Sequence, residues 1–234
     1  MFMLFDIKYF LIVMIPGFIM SGIASLMVKS AFNKYSQVAT RRGLTGAQAA
    51  QIMLENAGIH DVRIVPTNGF LSDYYNPSTK TLALSEQVFG SRSVAAIGVA
   101  CHEAGHALQH SAGYAPLGLR SAIVPIVSFG APFTNTLLML GLFLQIRPLL
   151  LLGIAAFAMV VVFQLITLPV EFNASARAKR LCVEIGIIDA DERVGVDRVL
   201  NAAALTYVAA FVSSLLTLLY YLWRAGLIGG RRNN

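Results

Sequence analysis

Residues 101–110 read CHEAGHALQH and lie within a longer run of small apolar residues that begins near Ser93. His102 and His106 are four residues apart, so on a helix both imidazoles project from one face and can bind one tetrahedral ion. Glu103 lies one residue further round, where a carboxylate can act as a general base. The alternative is a helix whose polar side chains face other protein groups, but burying these groups without a metal is costly. The stretch therefore predicts a zincin-type metal site.

The composition of the chain indicates a membrane protein. Hydrophobic residues make up 56% of the sequence and charged residues 13%, whereas about 25% of a typical soluble domain is charged. The mean hydropathy is +0.67. The net charge of +6 does not indicate a nucleic-acid partner, because the basic residues are scattered beside apolar runs and form no stripe. We expect the lipid bilayer to be their partner.

Four stretches are apolar and long enough to cross a hydrocarbon core of about 30 Å, which needs about 20 helical residues. They are residues 7–28, 122–145, 148–170 and 202–223. The first is expected to be an uncleaved anchor, because no small-x-small cleavage site precedes the charged segment after it. The predicted divisions are an anchor (1–28), a catalytic region (29–121), a transmembrane hairpin (122–170), a connecting segment (171–201) and a last span with a basic tail (202–234).

The distribution of Lys and Arg predicts which side of the membrane the catalytic region and the connecting segment face. The hairpin between them places both on the same side. If the N-terminus is outside, these two segments face the cytosol and carry 13 of the 18 basic residues. Arg231 and Arg232 in the tail argue mildly against this orientation. Cys101 and Cys182 lie in the predicted cytosolic segments, where a reduced state fits them.

The catalytic region is expected to fold as a small α+β domain. Thr45 can cap a helix that ends at Gly58. Short β-prone runs follow at residues 62–65 and 79–84, with a turn at Asn76-Pro77 between them. The helix that carries CHEAGHALQH then begins at one of two serines, Ser91 or Ser93, and runs to about Ser111.

A zinc ion needs a third protein ligand, with its fourth position left for water. His110 lies about 12 Å along the helix axis from His102, too far to share the ion. Glu171 is the best candidate, because it stands at the end of the third span and a carboxylate is otherwise expensive at that depth. In the alternative, Glu171 caps the N-terminus of a helix that runs to Gly186. That helix leads to residues 189–192, Asp-Ala-Asp-Glu, which have the form of a capping box.

Further residues are candidates for orienting ligands or binding substrate. Asn173 and Ser175 lie on the same helix as Glu171 and could orient a ligand. Tyr207, in the fourth span, and Asn173 are candidate oxyanion donors, although a tyrosine in a span more often packs or lies at the interface. The second β-prone run could be an edge strand to which an extended substrate adds, or it could simply close the small sheet. Its residues are Thr79, Lys80, Thr81, Leu82, Ala83 and Leu84.

Several runs of the sequence resemble the YugP-type neutral zinc metallopeptidases, membrane proteins related to the HtpX-like and CAAX prenyl protease gluzincins. They include NKYSQV at 33–38, LTGAQAA at 44–50, SVAAIGVACHEAGHALQH at 93–110 and LPVEFNASARA at 168–178. The resemblance implies that His102 and His106 are zinc ligands, Glu103 the catalytic base and Glu171 the third ligand. The family's usual Asp-His-Tyr-Asp-Pro run is replaced here by Asp-Tyr-Tyr-Asn-Pro at residues 73–77.

These features together predict a mostly α membrane protein, with about four transmembrane helices and a small α+β, zincin-like (minigluzincin) catalytic domain formed by two loops on one side. We expect an endopeptidase with one zinc ion per chain that cleaves membrane or membrane-proximal polypeptides, in a bacterial cell membrane with its site facing the cytosol. A zinc-stabilised membrane scaffold without activity is the alternative. An ion transporter is the weaker rival, because the histidine pair lies outside the predicted spans.

Overall fold

The computed structural model describes residues 7–229. Residues 1–6 and 230–234, which include the start of the predicted anchor and most of the predicted basic tail, lie outside the described residues. The chain divides into two compact units. The helical unit comprises the described parts of Met1–Ile23, Leu119–Leu168 and Thr206–Asn234, and the α+β unit comprises Ala24–Gly118 and Pro169–Leu205.

Within the described residues, four helices are long and apolar enough to cross a membrane, as the sequence predicted. They are Ile7–Ser36, Ala115–Phe143, Arg147–Glu184 and Arg193–Arg224. Each is longer than its predicted span, although the second ends at Phe143, before the predicted end at residue 145. The first contains a π-helical turn at Phe10–Met14. Large apolar side chains on these helices are widely exposed, with Phe18 at 76% and Phe129 at 78%. Such a surface is stable against lipid tails but not against water.

The helical unit has a small core of its own. Val13 of the first helix packs with Leu138 and Leu150 on either side of the hairpin turn. Two tyrosines near the end of the last helix, Tyr220 and Tyr221, complete this cluster.

The predicted boundary between the third span and a separate helix at Glu171 is wrong. Arg147–Glu184 is one helix, and Pro169 lies inside it. A proline removes one backbone hydrogen bond, and membrane helices tolerate this because neighbouring groups satisfy the freed carbonyl. Since the helix begins 24 residues before Glu171, this side chain is not at a helix N-terminus. The alternative reading of Glu171 as an N-terminal cap therefore fails.

A three-stranded sheet forms one layer of the α+β unit, with β1 at Arg63–Thr67, β2 at Tyr74–Asn76 and β3 at Thr81–Ser85. The strand order is β1-β3-β2. β1 runs parallel to β3, and β2 runs antiparallel to it. The sequence missed β2, which precedes the turn predicted at Asn76-Pro77.

Of the two alternatives left open for residues 79–84, the edge strand is wrong. Thr79 and Lys80 lie in the turn before β3, and β3 itself is paired on both sides, with β1 and with β2. The three consecutive residues Leu82, Ala83 and Leu84 are all buried. An unbroken buried run of this kind is typical of a central strand, whereas an edge or half-exposed strand alternates.

Two other helices of the α+β unit begin and end where the sequence predicted. Thr45 and Gln48 form a capping box at the start of the helix Gly46–Asn56. Gly58 follows this helix with φ of 70°, a left-handed conformation that suits glycine. The helix Val94–Ser111, called the HExxH helix below, begins after Ser93, whose Oγ accepts a hydrogen bond from the Ala96 N–H at 3.2 Å.

The segment predicted as a capping box at residues 189–192 makes half of that motif. The Asp189 N–H donates to Glu192 Oε2 at 2.8 Å, and the last helix begins directly afterwards at Arg193. Arg41 ties the same segment to the loop after the first helix, because its guanidinium pairs with Asp189 and Asp191.

The HExxH helix lies at the centre of the α+β core. Most of its residues are buried. It packs against Met53 and Leu54 of the helix Gly46–Asn56 and against Leu82 and Leu84 of β3. Cys101 and Cys182, both buried free thiols, belong to the same core. The helix that carries the histidine pair is therefore held on several sides.

Candidate metal centre

The HExxH helix presents its two histidines side by side. The ring centroids of His102 and His106 are 4.8 Å apart, with the ring planes at 82°. The His106 residue is 6% exposed, and the side chain of His102 is 12% exposed. The spacing of four residues thus produces the shared face that the sequence predicted.

Glu171 completes a group of three metal-ligating side chains. Its Oε2 atom lies 3.2 Å from His102 Nε2 and 3.6 Å from His106 Nε2. One ligand atom from each of the three residues lies within 4.8 Å of the others. Two imidazole nitrogens and one carboxylate oxygen are the donor set of many catalytic zinc sites, so the residues present fit a zinc ion.

A close contact between two helices brings Glu171 to the histidines. Gly105 faces the backbone of Ala174, and a Cβ built on Gly105 would lie 2.8 Å from the Ala174 carbonyl oxygen. Only glycine leaves room for this approach. Gly105 lies between the two histidines in the sequence and Ala174 lies three residues after Glu171, so the contact is part of the site.

The far nitrogen of each histidine ring has a partner of its own. Ser175 Oγ lies 3.1 Å from His102 Nδ1, and Gln109 Oε1 lies 3.0 Å from His106 Nδ1. With Nδ1 engaged in this way, the Nε2 atom of each ring faces Glu171. Hydrogen bonds of this kind set the orientation of metal-binding histidines.

Glu103 is buried beside the histidines and is 8% exposed. Burial raises the pKa of Glu103, and the charges of Glu171 and Asp73 add to this effect, while those of the two histidines oppose it. A raised pKa makes a carboxylate a stronger proton acceptor when it is ionised. The pKa of His106 is also raised: burial acts to lower it, but the hydrogen bond to Glu171 and the two nearby carboxylates outweigh burial.

Three other potential ligand side chains of the α+β unit do not join this group. His110 is exposed, and its Nδ1 lies 2.9 Å from the Tyr75 hydroxyl. Asp73 accepts hydrogen bonds from the backbone N–H of Ser85 at 2.7 Å and from its hydroxyl. Glu86 is exposed. Between residues 7 and 229, His102, His106 and Glu171 are the one group of three such side chains close enough to share an ion.

The other predicted residues have different surroundings. Ser175 contacts His102, as its predicted role requires. Asn173 hydrogen-bonds to other groups than the two histidines: its Oδ1 accepts from Gln109 and from Arg177. Tyr207 lies on the last helix, in the helical unit, and is half buried. Its role as an oxyanion donor stays a prediction.

Gln109 and Gly105 are site residues that sequence reasoning missed. Gln109 is fully buried and contacts His106, which lies three residues before it on the same helix face. A long polar residue at this spacing within an apolar helix was a usable signal, because such a group needs hydrogen-bond partners. Gly105 carried a weaker signal, since a glycine inside a helix costs stability unless it allows a close approach.

A cavity of about 530 Å³ opens beside the C-terminal part of the HExxH helix. It is lined by Ala107 and His110 of that helix, by Tyr75 of β2, by Lys80, and by residues 58–62. Asp61 and Lys80 form an ion pair at its rim. Ala107 directly follows His106 in the sequence, but His102, His106 and Glu171 do not line the cavity.

Comparison with known proteins gives a family and a relative. The sequence profile of the family described as "Putative neutral zinc metallopeptidase" matches residues 10–226. The chain is 48% identical over 198 residues to the "Putative membrane protease YugP" of Bacillus subtilis (strain 168), which covers 85% of this chain and 88% of that protein. No solved structure matches the chain.

Proposed function

The chain belongs to the family described as "Putative neutral zinc metallopeptidase", and from the geometry of its site we propose that it is a zinc-dependent endopeptidase of the membrane. One observation carries the proposal: His102, His106 and Glu171 bring three ligand atoms within 4.8 Å, and the buried carboxylate Glu103 follows His102 directly. This is the arrangement that metal-assisted hydrolysis needs, with three ligands and an adjacent base.

In the proposed mechanism, His102 and His106 would hold zinc through Nε2, and Glu171 would hold it through its carboxylate. When bound, zinc supplies a Lewis acid that activates water and polarises the scissile carbonyl. Glu103 takes the proton of the attacking water and passes it to the leaving amine. No covalent intermediate with a protein side chain is needed, because water is the nucleophile.

The substrate is proposed to bind along β2 rather than β3. β2 is an edge strand of the sheet, so its outer side can pair with an extended peptide. The Tyr75 hydroxyl on this strand hydrogen-bonds to His110 Nδ1, so the strand lies beside the HExxH helix. The cavity of about 530 Å³, which Tyr75 of this strand helps to line, is then available for a substrate side chain. Because Tyr74 and Asn76 stand in β2, the departure from the family's usual run falls on the proposed substrate strand.

The substrate class follows from where Glu171 stands. Its helix, Arg147–Glu184, is also one of the four helices apolar enough to cross a membrane. A ligand on such a helix favours substrates in the membrane or close to it. From the Lys and Arg distribution we further propose that the site faces the cytosol of a bacterial cell.

The proposal is tested with Glu103→Gln, which keeps the size of the side chain and removes the base. We expect the purified variant in detergent to bind one zinc ion per chain, to lose peptide hydrolysis, and to retain uncleaved substrates when it is expressed in native membranes. Glu86→Gln is the matched control, because Glu86 is an exposed acid of the same unit and its variant should keep activity.

Retained turnover by Glu103→Gln would refute the assigned base. A zinc-stabilised scaffold predicts a different pattern: zinc bound by wild type and variant alike, and no hydrolysis by either protein. The two functions are therefore separated by the wild-type activity measured beside the variant.

A further inference from the structure

We propose that Gln109 is a positioning residue that fixes the tautomer of His106 and joins the two helices on which the zinc ligands stand. This inference rests on the proposed zinc site but not on peptidase activity. Gln109 is fully buried, and its side chain makes contacts at both ends. Its oxygen lies 3.0 Å from His106 Nδ1, and its nitrogen donates to the Val170 carbonyl at 2.8 Å.

The Val170 carbonyl decides which way the Gln109 amide faces. A carbonyl oxygen can only accept a hydrogen bond, so the NH₂ group of Gln109 must face it. The second N–H of this group donates to Asn173 Oδ1 at 3.0 Å. Asn173 Oδ1 also accepts from Arg177 Nε at 2.8 Å, which fixes the Asn173 amide as well. Both donors of Gln109 are therefore used on the Glu171 helix, and only its oxygen is left for His106.

The orientation of the amide in turn determines the state of His106. Because Gln109 offers an acceptor, the hydrogen bond to His106 forms only when Nδ1 carries a proton. In the neutral ring, the lone pair of Nε2 is then free and directed toward Glu171, as metal binding requires. Two hydrogen-bonded amides and one backbone carbonyl thus select the tautomer, with no ionisable group in direct contact with Nδ1.

The two histidines differ in this respect. Ser175 Oγ, the partner of His102 Nδ1, can either donate or accept. The serine contact therefore orients the His102 ring without selecting a tautomer. Gln109 does both for His106, and through Val170 it also connects the HExxH helix to the helix position directly before Glu171.

The test replaces Gln109 with Met, which has a similar length but neither accepts nor donates comparably. We expect the Kd for Zn²⁺ to rise by about 10–100-fold, the usual effect of removing a partner of a metal-binding histidine. Gln109→Glu keeps an acceptor for His106 but loses the donors to Val170 and Asn173, so its Kd should lie between those of wild type and Gln109→Met.

A second readout separates positioning from general stabilisation. In the Co²⁺-loaded wild-type protein in detergent, the ring N–H protons of His102 and His106 should give two exchangeable, paramagnetically shifted NMR signals. Ser175→Ala, the matched control, should change the His102 signal only. Gln109→Met should remove or strongly broaden the His106 signal and leave the His102 signal in place, while Gln109→Glu should keep both.

A Gln109→Met protein with the wild-type Zn²⁺ Kd, or with both ring signals unchanged, would overturn the inference. If this variant does not fold, the wild type and Gln109→Glu still test the inference. A His106 ring signal that is missing from either of these two proteins would contradict the proposed hydrogen bond. A wild-type protein that binds neither Zn²⁺ nor Co²⁺ would instead overturn the proposed function itself.

Discussion

Replacing Gly105 with alanine should weaken zinc binding measurably while the protein still folds. The new Cβ would lie 2.8 Å from the Ala174 carbonyl oxygen, whereas a carbon and an oxygen in contact stand about 3.3 Å or more apart. The atom it meets belongs to the backbone of a long helix and cannot rotate away. The two helices must therefore separate locally by about 0.5 Å, the difference between these two distances.

Zinc binding is more sensitive to this displacement than the fold is. Overpacking a core costs about 1–3 kcal/mol, and alanine recovers about 1 kcal/mol because it favours a helix over glycine. The free energy of unfolding should thus fall by no more than about 2 kcal/mol. Metal–ligand distances hold only within about 0.2 Å. Moving Glu171 away from the histidines by more than that should raise the Kd for Zn²⁺ at least about tenfold, or about 1.4 kcal/mol.

The measurement is a Zn²⁺ titration against a competing chelator in detergent, with the thermal unfolding of the zinc-free protein measured in parallel. Gly98→Ala is the matched control on the same helix, because its Cβ would lie 3.4 Å from the Val196 Cγ1 atom, an acceptable contact with a side chain that can adjust. We expect Gly98→Ala to keep the wild-type Kd. If Gly105→Ala also keeps it, the helix contact does not set the ligand spacing and the reasoning is wrong.

Two further predictions concern the third ligand and the topology. Glu171→Gln should no longer bind one zinc ion per chain, because a neutral amide is a poorer donor than a carboxylate and two histidines bind the ion weakly. Metal analysis of the purified variant measures this. One tightly bound zinc per chain would exclude Glu171 as a ligand. For the topology, a membrane-impermeant thiol reagent applied from outside should label a cysteine placed at Gln145 in the hairpin turn and miss cysteines placed at Ser91 or Ala190; the opposite pattern would reverse the proposed orientation.

The features that the sequence predicted well depend on short-range chemistry. Helix starts at Thr45 and Ser93 follow from side chains that accept backbone N–H bonds. The pairing of His102 and His106 follows from helix periodicity alone. The four apolar helices follow from length and hydropathy. Each of these signals lies within about twenty residues of chain, where the outcome does not depend on what packs nearby.

The features that the sequence did not predict depend on partners far along the chain. Pro169 indicated a helix boundary locally, but the helix continues because apolar residues precede it and buried residues such as Ala174 and Ala178 follow it. The position of β3 in the middle of the sheet depends on β1 and β2, and Tyr74–Asn76 is too short to show a pattern. The role proposed for Gln109 depends on its hydrogen bonds to Val170 and Asn173, which lie more than sixty residues later in the chain.

The charges of the site argue for a divalent cation without reference to the motif. Glu103 and Glu171 are two buried carboxylates, and a pair of this kind is stable only if positive charge or protons offset it. With both histidines neutral, an ion of charge +2 balances the two carboxylates fully. In the protein alone, the pKa of Glu103 and the pKa of His106 are both raised, so both groups tend to gain a proton. Each of these shifts supplies positive charge or removes negative charge where the ion would stand, and metal binding would release such protons.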